Sequence, residues 1–357
     1  MNSPSNSRLD AQQVTALAEA GEGIMQLDLT GQDLTGARLC GAMFEGVDFR
    51  GATLAKVDMR ESIFIKCRFD EADLRGANMR LTIFGECHLT GANAQGANLS
   101  SVTIDSGVAS QLVLHDADLR GASISRTKLD GAIMVDAQLE GCLLLDSDVA
   151  GFDVTGTKLS SMTLIGADLR KAKLAGASFE RVIFTNANFS GASFEGLDAR
   201  VCQFTDAQLE GTNLRGANLT QSNFKGAKLS GAVLADVIAP NALFIEADMQ
   251  QVVLIRAKLA QSLLLDANLE RADCSLADMQ QCILHRARCR EIRMLNTNLT
   301  YADFSQADLS AADLSGATMV RANLHNIVDP GAVIPGRAVA LATDPELAAA
   351  QNWQPKY

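Results

Sequence analysis

The stretch GTNLRGANLTQSNFKGAKLSGAVL, residues 211–234, decides the fold. It places a large apolar residue at every fifth position: Leu214, Leu219, Phe224, Leu229 and Leu234. A helix advances about 100° per residue, so this period would spread the apolar side chains around its circumference. A continuous strand would alternate them between its two faces. The period therefore predicts short extended segments joined by turns, in a chain that coils around the central residues.

The same rhythm runs without a slip from Leu29 to Leu324. Of these 60 central positions, 54 hold Leu, Phe, Met, Ile or Val. The residue two before each centre is mostly alanine, and glycine often stands two after it. One large and one small inward residue per repeat would fill a narrow tube, and glycine suits a corner with positive φ.

Outward-facing residues show how many repeats make one coil. The residue just before a central position is often apolar where the residue number of that central position ends in 4. It is rarely apolar where that number ends in 9. This alternation requires an even number of faces, and two faces cannot enclose a core. Phe44, Phe64 and Phe84 recur at intervals of 20. We therefore predict an all-β, four-sided solenoid of about 15 coils.

Units such as ADLRG, ANLSS, ANLTQ and ADLSG follow the pattern A(D/N)LXX. The chain thus resembles the pentapeptide-repeat family from Leu27 to about Asn326. The resemblance implies a right-handed quadrilateral β-helix. It says little about function, because functional sites are surface features grafted onto a fold.

The repeat divides the chain into three parts. We predict an N-terminal tail and capping helix over residues 1–22, a β-helix over 23–327, and a C-terminal cap with a short helix over 328–357. Asp10 is the expected N-cap of the first helix, and Thr343 or Asp344 that of the last. Caps are expected because the open ends of a solenoid expose its core and strand edges.

Two places depart from the regular pattern. The core thins between Ala94 and Ala109, which predicts the least regular coil near residues 100–112. No glycine occurs from Ala232 to Ser315, so we expect turns with negative φ at those corners. The corner residues there include Arg256, Arg271, Arg286, Glu291 and Tyr301.

Composition narrows the function classes. The net charge of −11 disfavours direct nucleic-acid binding, which needs a basic surface. No apolar stretch reaches about 18 residues, so no membrane span is expected. The N-terminal sequence lacks the features of a secretory signal, and eight cysteines occur without CxxC pairs. These features predict a protein of a reducing cytoplasm.

Residues that could carry chemistry are scattered. Seven cysteines fall at inward positions, where a thiol acts as a small apolar group, and only Cys40 points outward. The four histidines lie on different coils, and the closest pair on one face is too far apart to share a zinc ion. We therefore predict no catalytic residues, no cofactor and no metal, and hence no enzymatic activity.

Two surface features are candidate binding sites. The first is a face with apolar outward residues, which we predict to bind protein: Ile63, Ile65, Ile83, Leu143, Leu145, Ile165, Ile183, Leu243, Ile245, Leu263, Leu265 and Ile283. The alternative is that aliphatic residues simply suit a sheet. The second is a basic patch for an acidic partner, formed by Arg286, Arg288, Arg290 and Arg293. Its alternative is an ordinary solvated face.

These features leave two functional interpretations. One is a scaffold that binds a client, an effector or a spike component, or another copy of itself. The terminal segments are similar to those of pentapeptide-repeat proteins associated with type VI secretion, which implies an adaptor or accessory role there. The other is a DNA mimic that binds DNA gyrase or topoisomerase IV, as some family members do. Outward lysines and arginines dilute the acidic charge that such a mimic needs.

Overall fold

The computed structural model describes residues 9–21, 23–351 and 353. Within these residues the chain forms two α-helices, one 3₁₀-helix and eleven short strands. In chain order they are α1 (Ala11–Glu19), β1 (Ile24–Met25), β2 (Met43–Glu45), β3 (Ile63–Ile65), β4 (Ile83–Gly85), β5 (Thr103–Asp105), β6 (Ser123–Ser125), β7 (Leu143–Leu145), β8 (Lys158–Ser160), β9 (Thr163–Ile165), β10 (Ser178–Glu180), β11 (Asp198–Arg200), the 3₁₀-helix (Pro335–Val339) and α2 (Pro345–Gln351). The chain divides into two compact units, one ending at Ser178 and one beginning at Phe179.

Both units are β-solenoids in which each residue pairs with the residue 20 positions later. In the first unit, eight strands form one parallel sheet in the order β1-β2-β3-β4-β5-β6-β7-β9. Phe44 lies opposite Phe64, and Phe64 opposite Phe84. In the second unit, single parallel bridges join Gln203 to Asn223 and continue at the same spacing. The 20-residue register confirms a coil of four five-residue faces.

The hydrogen bonds of one repeat explain its consensus. In the repeat 212–216, the backbone N–H groups of Asn213 and Leu214 donate to carbonyl groups on opposite neighbouring coils, at 3.0 and 2.7 Å. Gly216 also donates to a neighbouring coil, and Thr212 closes the preceding turn. The remaining N–H, that of Arg215, donates to Oδ1 of Asn213 at 3.1 Å. An Asn or Asp side chain just before the central residue therefore accepts a hydrogen bond from the one backbone N–H of the repeat that has no backbone acceptor.

The predicted core is confirmed in both units. Central residues and those two before them are buried, and the phenylalanine rings stack from coil to coil. Ring centroids lie 4.7 Å apart for Phe44 and Phe64, and 4.7 Å apart for Phe204 and Phe224. Burial of each such side chain contributes about 2 kcal/mol, against the entropy of ordering the chain.

The expectation of negative φ at the glycine-free corners was wrong. Arg256, Arg271, Arg286, Glu291 and Tyr301 all have φ between 55° and 58°, the same left-handed conformation as the glycine corners. The coil imposes this conformation. For Arg256, the corner N–H donates to the next coil at 3.0 Å, and the following N–H closes the turn at 3.0 Å. A turn with negative φ would redirect both donors.

The expectation of an irregular coil near residues 100–112 was also wrong. Strand β5 pairs with both β4 and β6, and Val108 bridges to both neighbouring coils. The small inward residues Gly107 and Ala109 are buried, and Leu112 fills the core beside them. Side-chain volume at the centre varies here without disturbing the backbone ladder.

Helix α1 lies before the first coil. Asp10 is its N-cap, and a complete capping box joins Asp10 and Gln13 through two bonds of 2.9 Å. Val14 and Ala18 are buried. The helix predicted in the N-terminal segment is thus present, whereas residues 1–8 and 22 of that segment lie outside the described residues.

The tail closes the last coil. Leu341 forms an isolated parallel bridge with Asn323, and its N–H donates to the carbonyl group of Ala322 at 2.7 Å. Asp344 caps α2, since its carboxylate accepts from two N–H groups of the first turn at 2.9 and 3.1 Å. The buried ring of His325 contacts both the Asp344 backbone and the side chain of Gln351. The predicted C-terminal helix is therefore α2, held against the final coil.

Candidate protein-binding face

The apolar outward residues of the first unit fall into two clusters. In the first, Ile63 on β3 pairs with Ile83 on β4, and their exposed fractions are 36% and 39%. Ile65 lies beside them and is half-buried. In the second, Leu145 on β7 pairs with Ile165 on β9, next to Leu143. The outward positions of β5 and β6 between the clusters are polar.

The second unit holds a longer row, which we call the Leu243 patch. Leu243 bridges to Leu263, and Leu263 bridges to Ile283, so three aliphatic side chains lie on successive coils. Ile245 and Leu265 form a parallel row on the other side of the inward centres, and all five side chains are partly exposed.

Polar residues bound the Leu243 patch at both ends. Asn223 precedes Leu243 in the same column, and Asp303 follows Ile283. The Asn223 amide donates to Gln203 Oε1 at 3.0 Å. On the far side, Asp303 accepts a bond of 2.9 Å from Asn323. The patch is therefore a bounded apolar surface with hydrogen-bonded edges.

Ile183 also belongs to the predicted face but stands apart. It is 37% exposed and bridges to Gln203, which is polar. The twelve predicted residues thus share one type of position on the coil, but they form separate clusters within each unit.

The predicted basic patch is exposed but largely neutralised. Arg286 makes two bonds of 2.7 Å to the carboxylate of Asp266 on the preceding coil. Arg290 lies 3.8 Å from Asp308, and Arg293 lies 3.9 Å from Asp273. Arg288 occupies an outward position beside the buried Cys289. The four arginines extend over a corner and two faces, so they do not form one concentrated basic surface.

Carboxylate charge in the first unit is neutralised by a local motif. An Asp before a centre accepts two hydrogen bonds from the Arg just after that centre: Asp48–Arg50, Asp58–Arg60, Asp73–Arg75, Asp118–Arg120 and Asp168–Arg170. These hydrogen bonds from arginine lower the pKa of each Asp below its usual range. The D-x-R spacing in the sequence is the signal that could have predicted this motif.

The cysteines behave as predicted. Seven are buried, and Cys40 alone is partly exposed. Burial raises the pKa of Cys142, Cys202 and Cys282 to about 12. Thiols with such pKa values stay protonated at neutral pH, so they are apolar core groups rather than nucleophiles.

In the part of the chain that the structure describes, no helix has the length and apolar character needed to cross a membrane. No curated protein sequence matches this chain.

Solved structures with similar coordinates include the following three proteins. QnrB1, a plasmid-mediated fluoroquinolone resistance protein, is 21% identical in a trypsin-treated variant form, with 58% of this chain and 91% of that chain covered and a TM-score of 0.43. HetL, involved in heterocyst differentiation regulation in Nostoc sp. strain PCC 7120, is 24% identical over 80% of this chain and 98% of its own, with a TM-score of 0.20. A thylakoid-lumen protein of Arabidopsis thaliana is 23% identical over 34% of this chain and 63% of its own, with a TM-score of 0.14. At this level of similarity they carry no statement about partner or activity.

The family model for pentapeptide repeats matches eight copies, over residues 26–61, 67–104, 110–144, 164–196, 202–238, 241–286 and 287–326. These matches cover most of the chain and lie within its coiled part. The chain therefore belongs to the pentapeptide repeat family.

Proposed function

We propose that this protein is a non-enzymatic scaffold that binds another protein through the Leu243 patch. The observation that carries the proposal is the register of Leu243, Leu263 and Ile283 on three successive coils. A contiguous apolar surface with a polar rim is typical of protein interfaces.

The fold does not need aliphatic side chains at these positions. Asn223 and Asp303 occupy the same column of outward positions and pair with their neighbours just as the aliphatic residues do. β-propensity alone therefore does not account for a run confined to three coils. A binding role gives a reason for keeping apolar groups in contact with water.

The absence of an enzymatic role is part of the proposal. The carboxyl groups with lowered pKa values accept hydrogen bonds from arginine, lysine, serine or threonine side chains, and the thiols with raised pKa values are buried. A catalytic acid, base or nucleophile is accessible to substrate and has a pKa near the working pH. Neither set of groups combines these two properties.

For the partner, we propose a client, an effector or a spike component of a type VI secretion system in the bacterial cytoplasm, with self-association as the competing outcome. This proposal is supported by the similarity of the terminal segments to those of pentapeptide-repeat proteins associated with type VI secretion. A gyrase-binding DNA mimic is less well supported, because the Asp–Arg pairs cancel carboxylate charge that a mimic of the phosphate backbone would present.

The test compares two triple variants that remove outward side chains from neighbouring faces of the same coils. The first replaces Leu243, Leu263 and Leu265 with Ser. The matched control replaces Lys228, Asp248 and Asn268, which form one column on a neighbouring face, with Ser. Circular dichroism establishes that both variants keep the fold.

We expect the first variant to lose the partner captured by the wild-type protein in its native host, as identified by mass spectrometry. If the wild-type protein self-associates, light scattering should show the same loss. The control should retain both properties. Equal behaviour of the two variants would rule out the Leu243 patch as the binding surface and direct attention to the caps and the four arginines.

A further inference from the structure

A histidine and two aspartates meet at one corner of the first unit. Asp116 and Asp136 occupy the same corner on successive coils, 20 residues apart, and His115 precedes the first of them. One ligand atom from each of the three side chains lies within 4.8 Å of the other two. The His115 Nε2 atom is 3.2 Å from Asp116 Oδ2. The spacing of the four histidines in the sequence gives no sign of this cluster, because two of its three members are aspartates on different coils.

The hydrogen bonds of His115 define which ring nitrogen faces the carboxylates. Its Nδ1 atom lies 3.0 Å from the carbonyl oxygen of Val135. A carbonyl oxygen only accepts, so Nδ1 carries the proton and donates it. In the neutral ring, Nε2 then presents a lone pair to Asp116. Two acceptors facing each other need a cation or a further proton between them.

At an equivalent corner in the second unit, a carboxylate is neutralised by a basic side chain on the next coil. There Asp236 is followed one coil later by Arg256, which donates two bonds of 2.6 and 2.8 Å to it. At the first corner the stacked residue is a second acid. Among the residues that the structure describes, neither Asp116 nor Asp136 forms an ion pair with lysine or arginine. The corner thus gathers negative charge and a nitrogen lone pair that no lysine or arginine of the described residues pairs with.

We propose that this corner is a binding site for a divalent transition-metal ion of the zinc class, with His115 Nε2 and one carboxylate oxygen each from Asp116 and Asp136 as ligands. Imidazole nitrogen and carboxylate oxygen bind zinc at about 2.0–2.2 Å. The bond from Nδ1 to a backbone carbonyl is the outer-shell contact that commonly orients a ligating histidine. The His115 and Asp116 side chains are 36% and 56% exposed, so they can close around an ion, and water completes its coordination.

The test uses untagged full-length protein carrying Cys40→Ser, so that the one partly exposed thiol does not bind metal. Zinc binding is measured by isothermal titration calorimetry, and Co²⁺ absorption reports the coordination. His115→Ala and Asp136→Asn each remove one ligand. Asp236→Asn is the matched control, because it removes a carboxylate at the equivalent corner that Arg256 already neutralises.

We expect one equivalent of zinc to bind, with at least about tenfold weaker affinity in His115→Ala and in Asp136→Asn. The control should bind like the parent protein. No binding by the parent, or equal binding by the parent and both ligand variants, would overturn the proposal. In those cases the three side chains are an ordinary surface cluster that holds no metal ion. All four side chains are outward, so circular dichroism should be unchanged in every variant.

Discussion

The glycine-rich corners of the first unit and the glycine-free corners of residues 232–315 reach the same backbone conformation with different side chains. Gly31, Gly41 and Gly51 have φ of 65°, 71° and 58°. Arg271 and Arg286 have φ of 57° and 56°. The ladder of hydrogen bonds between coils, rather than the corner residue, therefore determines the turn.

Ion pairs join neighbouring coils in both regions, as in Arg126–Asp105 and Arg256–Asp236, and the first unit adds pairs between an Asp and the Arg two residues later. In the first unit, Asp73 pairs with Arg75 on its own coil. In the glycine-free stretch, Arg286 pairs with Asp266, and Arg271 donates to Glu291, on neighbouring coils. A non-glycine residue in this conformation costs roughly 1–2 kcal/mol. An exposed ion pair contributes up to about 1 kcal/mol, so pairing offsets part of that cost.

The largest expected effect tests whether the regions share one kind of core. Phe64→Ala in the first unit and Phe224→Ala in the second should each destabilise the protein by about 3–5 kcal/mol, since both rings are fully buried and stacked. Lys228→Ala, at an outward position, should change stability by less than about 0.5 kcal/mol. Denaturant unfolding measures all three. A small loss for only one phenylalanine would show that the two cores are packed differently.

A second prediction concerns alkaline pH. Burial raises the pKa of Cys142 and Cys282 to about 12, so the folded state keeps protons that unfolded thiols release above pH 9. Stability is fully present below pH 9 and falls as the pH rises toward 12. Each thiol should account for about 2 kcal/mol by pH 10.5. Urea midpoints at pH 8, 9.5 and 10.5, under reducing conditions, measure the slope.

Cys142→Ala in the first unit and Cys282→Ala in the glycine-free stretch should each reduce the loss of stability between pH 8 and pH 10.5. Lysine and tyrosine titration is common to all three proteins, so the comparison isolates the thiols. Slopes indistinguishable from that of the wild-type protein would show that water reaches these sulfur atoms in the folded state.

The smallest expected effect addresses the corners directly. Gly51→Ala should destabilise by about 1 kcal/mol through its positive φ, although no atom lies within 4 Å of the added methyl group. Leu276→Gly should stabilise by up to about 1 kcal/mol, because Leu276 has φ of 63° and is 54% exposed. As a control, Gln280→Gly at an exposed position should destabilise. Changes in melting temperature of the opposite sign would contradict the conclusion that the corners of both regions have the same left-handed backbone conformation.

The five-residue period was sufficient to predict the core and the coil. Each centre, such as Leu214 or Phe224, meets the same surroundings, so a local pattern specifies a repeated structure. The sign of φ at Arg256 or Glu291 could not be predicted from residue preference, because the ladder overrides that preference. Cooperative hydrogen bonding is a property of neighbouring coils rather than of the five residues themselves.

The surface was predicted only in part. The sequence places Ile183 and Leu243 at one type of outward position, but the polar residues Gln203 and Asn223 lie between them in the same column. The Asp116–Asp136 contact depends on a separation of one full coil and on side-chain rotamers. Neither is visible until the register is known, which is why the cluster with His115 was missed.

The bridge between Leu341 and Asn323 bears on whether molecules of this protein associate end to end in a crowded solution. Leu324 and Arg321 donate to the tail at 2.8 and 2.9 Å, and Leu341 donates back to Ala322. These bonds occupy main-chain groups that would otherwise template a strand from another molecule. A stack of parallel coils is capable of growing into a filament by adding molecules at its end. By ending the ladder with its own chain, the protein blocks fibre growth at this edge.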